Sequence, residues 1–121
     1  MADVFYVHWN REEAAVRARE LEASGHRLRV HWSTEAGARI DPLPQALVIS
    51  LDRLPSHGRS IAEWMWEAKK RQHVPIVFAG GKPDKVQAAK ERFPRAVFCA
   101  PDAVPAALQR ALRAAAELTW E

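Results

Sequence analysis

Short apolar segments alternate with longer amphipathic segments along almost the whole chain. Helical periodicity follows most of the short segments, which are rich in the β-branched and aromatic residues typical of strands. Strands that alternate with helices predict an α/β three-layer sandwich around a parallel sheet. The predicted strands are residues 4–7, 26–31, 46–51, 74–79 and 96–99, and the predicted helices are residues 10–24, 60–72, 84–93 and 105 onward.

The length of 121 residues suits one domain, residues 1–121, with the flavodoxin-like strand order 2-1-3-4-5. The segments at 46–51 and 74–79 are almost wholly apolar, which is typical of central strands covered on both faces. In the segment at 26–31, Leu28 and Val30 alternate with polar residues, which indicates an edge strand. Residues 33–45 include a glycine and two prolines, so we expect the second helix to be degenerate.

Each predicted helix has an apolar face that we expect to pack against the sheet. In chain order these faces are Ala14, Ala15, Ala18 and Leu21; Ile61, Trp64, Met65 and Ala68; Val86, Ala89 and Phe93; and Leu108, Ala111, Leu112 and Ala115. Glu13 follows Asn10 by three residues, a spacing that predicts a capping box at the start of the first helix.

Composition excludes several classes of protein. An apolar content of 48% rules out disorder, and no apolar run approaches the ~20 residues of a transmembrane helix. Cys99 is the single cysteine, so it can form no internal disulfide, and we expect an ordinary buried thiol. The amino terminus lacks the pattern of a secretory signal, which predicts a cytoplasmic protein. The net charge of +3 is scattered, so nucleic acid is not an expected partner.

Four stretches of the sequence resemble a response-regulator receiver domain. VHWN at 7–10 resembles the end of the first strand of that family, and FCAP at 98–101 resembles the end of its fifth strand. VPIVFAG at 74–80 resembles its fourth strand. ALVISLDRLP at 46–55, followed by Gly58, resembles the strand that carries the phosphoacceptor and the loop after it. The resemblance covers nearly the full chain and implies the same five-stranded sheet.

The resemblance also implies which positions would carry the phosphorylation chemistry, and this sequence departs from the family at each of them. His8 and Trp9 stand where receivers have the acidic pair that holds Mg²⁺, Leu51 where they have the phosphoacceptor aspartate, Ala79 where they have Ser or Thr, and Ala100 where they have lysine. Without these groups nothing neutralises the charge on the phosphoryl oxygens. We therefore interpret the chain as a pseudo-receiver with no catalytic residues, cofactor or metal.

Other interpretations of individual residues stay open. Asp52, next to Leu51, could be a residual phosphoacceptor, but we expect an inactive residue whose carboxylate caps the loop. His8, His57 and Asp52 could bind a transition metal, although no pair of them has a metal-binding spacing. The turn at 80–82 could hold a phosphate, but a plain strand-to-helix turn is favoured because no phosphate-binding motif is present.

The main functional hypothesis is a stand-alone protein-interaction or signalling module, not an enzyme. Receivers dimerise through their fourth helix, fifth strand and fifth helix, and the resemblance implies that a protein partner or a second copy binds this side. The candidate interaction residues are Trp66, which lies off the predicted core face, and Lys85, Lys90, Arg92, Arg110 and Arg113. The alternative hypothesis is a flavodoxin-like protein that binds a nucleotide, flavin or cobalamin in a pocket at the strand ends.

Overall fold

A parallel five-stranded sheet forms the centre of the computed structural model, which describes residues 3–8, 11–31, 44–51, 61–65, 67 and 73–118. The strand order is β2-β1-β3-β4-β5, and every pairing is parallel. The strands are β1 (Asp3–Val7), β2 (Arg27–His31), β3 (Ala46–Ser50), β4 (Ile76–Ala79) and β5 (Val97–Cys99). The predicted fold class and strand order are confirmed.

Helices cover both faces of this sheet. They are α1 (Arg11–Ala23), a helical segment at 61–65 (α2), α3 (Pro83–Arg92) and α4 (Val104–Leu118), the last preceded by a 3₁₀ turn at Pro101–Ala103. Gly25 ends α1 with a φ of 94°, and its N–H donates to the carbonyl of Glu22 at 2.9 Å. Pro83 occupies the first turn of α3, where a missing N–H costs no helical hydrogen bond.

The core is divided into two layers by the sheet. On one side α2 and α3 pack against Phe5, Val7, Leu47, Ile49 and Phe78. On the other side α1 and α4 pack against Val4, Tyr6, Val48, Val77 and Ala79. All residues of β3 and β4 are buried, as the apolar runs predict, and β2 is a partly exposed edge strand.

Two of the predicted helical faces are corrected by the structure. Trp64 is 39% exposed, whereas Ala62, which the pattern leaves out, is fully buried beside Ile61 and Met65. The small alanine lets α2 approach the sheet closely, and this orientation turns the indole outward. Ala15 is exposed on α1, where Ala14, Ala18 and Leu21 form the buried stripe.

Within the described residues, no helix combines the length and the apolar character needed to cross a membrane.

Candidate functional site

His8 lies directly after β1, on the side of the sheet that α1 and α4 cover. Its side chain is buried and makes two hydrogen-bonding contacts, with Nδ1 3.2 Å from Oη of Tyr6 and Nε2 2.8 Å from Oε2 of Glu13. Tyr6 and His8 share a face because side chains two residues apart in an extended chain point the same way. The contacts join the end of β1 to the first turn of α1.

The chemistry of the three side chains decides which atom donates and which accepts in each of these two hydrogen bonds. An ionised Glu13 carboxylate accepts only, so His8 donates from Nε2. In the neutral imidazole Nδ1 then accepts a hydrogen bond from the Tyr6 hydroxyl. Both ring nitrogens of His8 are therefore engaged within the protein, at a position where the receiver resemblance implies a carboxylate.

Leu51 follows β3 and points into the opposite layer, among the residues beneath α2 and α3. Its side chain is only 2% exposed. Its backbone N–H donates to the carbonyl of Ala79 at 2.9 Å. A Cβ added to Gly81, which has a φ of 94°, would lie 2.7 Å from the Leu51 Cβ. The phosphoacceptor position of the resemblance thus holds a leucine in close contact with the β4–α3 turn.

Ala79 and Ala100 end up in different surroundings. Ala79 is buried at the end of β4, in register with Ser50 of β3, while Ala100 is exposed before the 3₁₀ turn. Neither methyl group can contact a phosphoryl group as a hydroxyl or an ammonium group does. Ser50, at the end of β3, brings a hydroxyl group to this edge of the sheet; it is 2% exposed and is missed by the sequence analysis.

A cavity of about 540 Å³ opens at this edge of the sheet, on the α1 and α4 side. Its described lining is Tyr6, His8, Glu13, Arg17, Ser50, Ala79 and Pro101. The sequence signals that could have found it are three polar residues at the ends of otherwise apolar strands, together with Glu13 and Arg17 one helical turn apart.

Several predicted site residues lie outside the described part of the chain. They are Trp9, Asp52, His57 and Trp66. Among the described residues, no three His, Cys, Asp or Glu side chains come together in a way that could hold a metal ion. The proposed ligand set of His8, His57 and Asp52 has one member in the described residues.

The five basic candidate interaction residues are all exposed. The ammonium group of Lys90 lies 5.7 Å from the ring centroid of Phe98 on β5, a cation–π distance. The Phe98 ring stacks on Phe78 at 5.2 Å. Arg92 instead forms an ion pair with Glu63 of α2, with Nε 2.6 Å from Oε1. Its positive charge is therefore partly balanced by a residue of the same protein.

Cys99 is the last residue of β5 and packs against the layer that contains α4; it is half-buried, whereas the sequence predicts a buried thiol. Burial raises the pKa of its thiol; the nearby Arg110 opposes that shift and Asp102 adds to it. The thiol is therefore held in its unreactive protonated form.

Comparison with known proteins gives structural relatives but no close sequence relatives. No protein-family model matches the chain, and no curated protein does. The signal receiver domain of a modulated diguanylate cyclase from Desulfovibrio desulfuricans G20 is 18% identical with a TM-score of 0.72, covering 95% of this chain and 96% of that one.

Two further solved structures are similar in fold. A sensor protein from Polaromonas sp. JS666 is 14% identical with a TM-score of 0.71, covering 93% of this chain and 97% of that one. The N-terminal domain of a response regulator receiver protein from Methanoculleus marisnigri JR1 is 17% identical with a TM-score of 0.63, covering 82% of each chain. The chain therefore has the fold of response-regulator receiver domains.

Proposed function

We propose that the chain is a pseudo-receiver, a signalling module that binds another protein without being phosphorylated. The observation that carries this proposal is the burial of Leu51. A phosphoacceptor must present a carboxylate to solvent and Mg²⁺ at the edge of the sheet. Leu51 presents a hydrocarbon side chain to the core and packs against Gly81.

The surroundings of His8 support the same proposal. Phosphoryl transfer to aspartate uses a magnesium site rich in carboxylate oxygens. His8 offers an imidazole whose two nitrogens contact Tyr6 and Glu13. Binding Mg²⁺ here would require breaking the contact with Glu13 and would still supply a single carboxylate from these three residues.

The proposed contact surface is formed by α3, β5 and α4, the elements that stand for the fourth helix, fifth strand and fifth helix of the receiver resemblance. Phe98 is half-buried on the edge strand β5, held by Phe78 beneath it and Lys90 beside it. A rigid aromatic ring bordered by basic groups is typical of the energetic centre of a protein interface. Two exposed acids on α3, Asp84 and Glu91, and a third in the 3₁₀ turn before α4, Asp102, give the surface charges of both signs.

A surface of mixed charge can pair with itself across a twofold axis, because each basic group can meet an acidic group of the other copy. We therefore propose a second copy of the chain as the first partner to test. A different protein that presents an acidic surface to Lys85, Lys90, Arg110 and Arg113 is the other partner of matching chemistry.

Incubation with acetyl phosphate and Mg²⁺, followed by intact-mass measurement, tests the absence of phosphorylation. We expect the mass to stay unchanged, because the Leu51 side chain offers no nucleophile and Ala79 and Ala100 stand where the receiver resemblance implies the groups that neutralise a phosphoryl charge. Gain of one phosphoryl group that is lost in Asp52→Ala but kept in Asp102→Ala would overturn the proposal.

A further inference from the structure

The cavity at the carboxyl edge of the sheet is built from buried polar groups. Tyr6, His8 and Ser50 line it, and each of these side chains is at least nine-tenths buried. Its volume of about 540 Å³ falls within the usual range of small-molecule sites, roughly 300–1,000 Å³. Ala79 and Pro101 provide its apolar wall. Convergent polar groups beside an apolar wall are the usual composition of a ligand pocket.

The two charged residues of the lining are not equivalent. The Glu13 carboxylate accepts a hydrogen bond from His8 at 2.8 Å. Arg17, one turn further along α1, has Nη1 3.4 Å from each carboxylate oxygen of Glu20, which is long for a charged hydrogen bond. A guanidinium has five N–H donors, so Arg17 keeps donors available for an anion in the cavity.

The lining favours one kind of anion. A single guanidinium beside a carboxylate matches the charge of a monocarboxylate better than that of a di- or triphosphate. The glycine turn after β4 adds few donors for a phosphate, because the N–H of Gly80 donates to the carbonyl of Cys99 at 3.0 Å and Pro83 has no N–H. These observations disfavour the nucleotide among the ligands considered from the sequence.

We propose that this cavity binds a small organic acid. Arg17 binds its carboxylate at the mouth, the hydroxyl groups of Tyr6 and Ser50 lie at the buried end, and Ala79 and Pro101 contact its apolar part. The site is separate from the α3, β5 and α4 contact surface, so this proposal can fail while the proposed function stands.

The test is an NMR titration of the full chain with benzoate, phenylacetate and indole-3-acetate. Benzamide, phenylacetamide and indole-3-acetamide are the matched neutral controls, and adenosine monophosphate tests the nucleotide alternative. We expect at least one acid to cause saturable amide shifts at residues 6–8, 13–17, 50 and 79. The matching amide should bind at least about tenfold more weakly, since it lacks the charge that Arg17 recognises.

Arg17→Gln tests the assigned partner, with Arg19→Gln as its control, an exposed arginine on the same helix that does not line the cavity. We expect Arg17→Gln to weaken acid binding by about tenfold or more and Arg19→Gln to leave it unchanged. The proposal is overturned if no acid gives saturable shifts up to about 10 mM, as expected of a cavity that holds water alone. It is equally overturned if acids and amides bind alike, or if adenosine monophosphate binds more tightly than every acid.

Discussion

Nε2 of His8 lies 2.8 Å from Oε2 of Glu13, and this contact joins the end of β1 to the first turn of α1. The imidazole is buried, whereas the carboxylate is about half-exposed. The contact joins a buried group at the end of β1 to a partly exposed group on α1, so its contribution to stability can be measured by removing the carboxylate.

Glu13→Ala should lower the free energy of unfolding by about 1 kcal/mol, because the buried His8 nitrogen loses its charged acceptor while water replaces it only in part. Glu12→Ala is the control, since Glu12 is an exposed acid in the same helical turn and has the same relation to the helix dipole. Urea unfolding of both variants measures the difference. Equal losses would show that the contact with His8 contributes nothing to stability.

Gly81→Ala should destabilise the protein more than Gly25→Ala, although both glycines have a φ of 94°. Alanine in this conformation costs about 1–2 kcal/mol at either position. At Gly81 the new Cβ also meets the Leu51 Cβ at 2.7 Å, whereas nothing lies within 4 Å at Gly25. We expect an additional cost of about 1–3 kcal/mol from this overlap, measured by urea unfolding. Equal costs would contradict the close packing of Leu51.

The strands and their order could be predicted from the sequence, because apolar runs such as residues 46–50 are typical of central strands covered on both faces. The orientation of α2 could not, because periodicity alone does not separate Trp64 from Ala62 as the inward residue. Packing decides between them, since the small side chain permits a close approach and the indole does not.

The candidate site was predictable only in part. The positions of His8, Leu51 and Ala79 follow from the strand ends, where the structure places them. The contact of Glu13 with His8 does not, because the spacing of Glu13 from Asn10 points only to a capping box, a prediction that involves Asn10 and so lies outside the described residues. That contact depends on the position of α1 relative to β1 in the folded protein, which the spacing of residues in the sequence does not give.

The thiol of Cys99 should react slowly with iodoacetamide, with a midpoint of the pH–rate profile above the ordinary value of 9.0. Burial raises the pKa, so the thiolate forms only at higher pH than in a free thiol. Arg110→Gln should move the midpoint further up and Asp102→Asn should move it down, because the two charges act on the thiolate with opposite signs. Arg113→Gln is the control. A midpoint below 9.0, or no response to Arg110→Gln, would contradict the described environment of Cys99.

Lys90→Glu should weaken self-association about tenfold, because it removes the ammonium group beside Phe98 and places a negative charge at the proposed contact surface. Arg27→Glu, on the edge strand β2 at the other end of the sheet, should leave association unchanged. Sedimentation equilibrium measures both dissociation constants. A wild-type chain that stays monomeric, or a dimer equally sensitive to Arg27→Glu, would exclude self-association through the α3, β5 and α4 surface.

Titration with beryllofluoride and Mg²⁺, followed by amide NMR, tests the central claim most directly, because beryllofluoride mimics a phosphoryl group on an aspartate. The pseudo-receiver account predicts no saturable shifts at residues 6–8, 50–51 or 79–81, since Leu51 is buried and His8 is engaged with Glu13 and Tyr6. Saturable shifts at these residues that disappear in Asp52→Ala would contradict it.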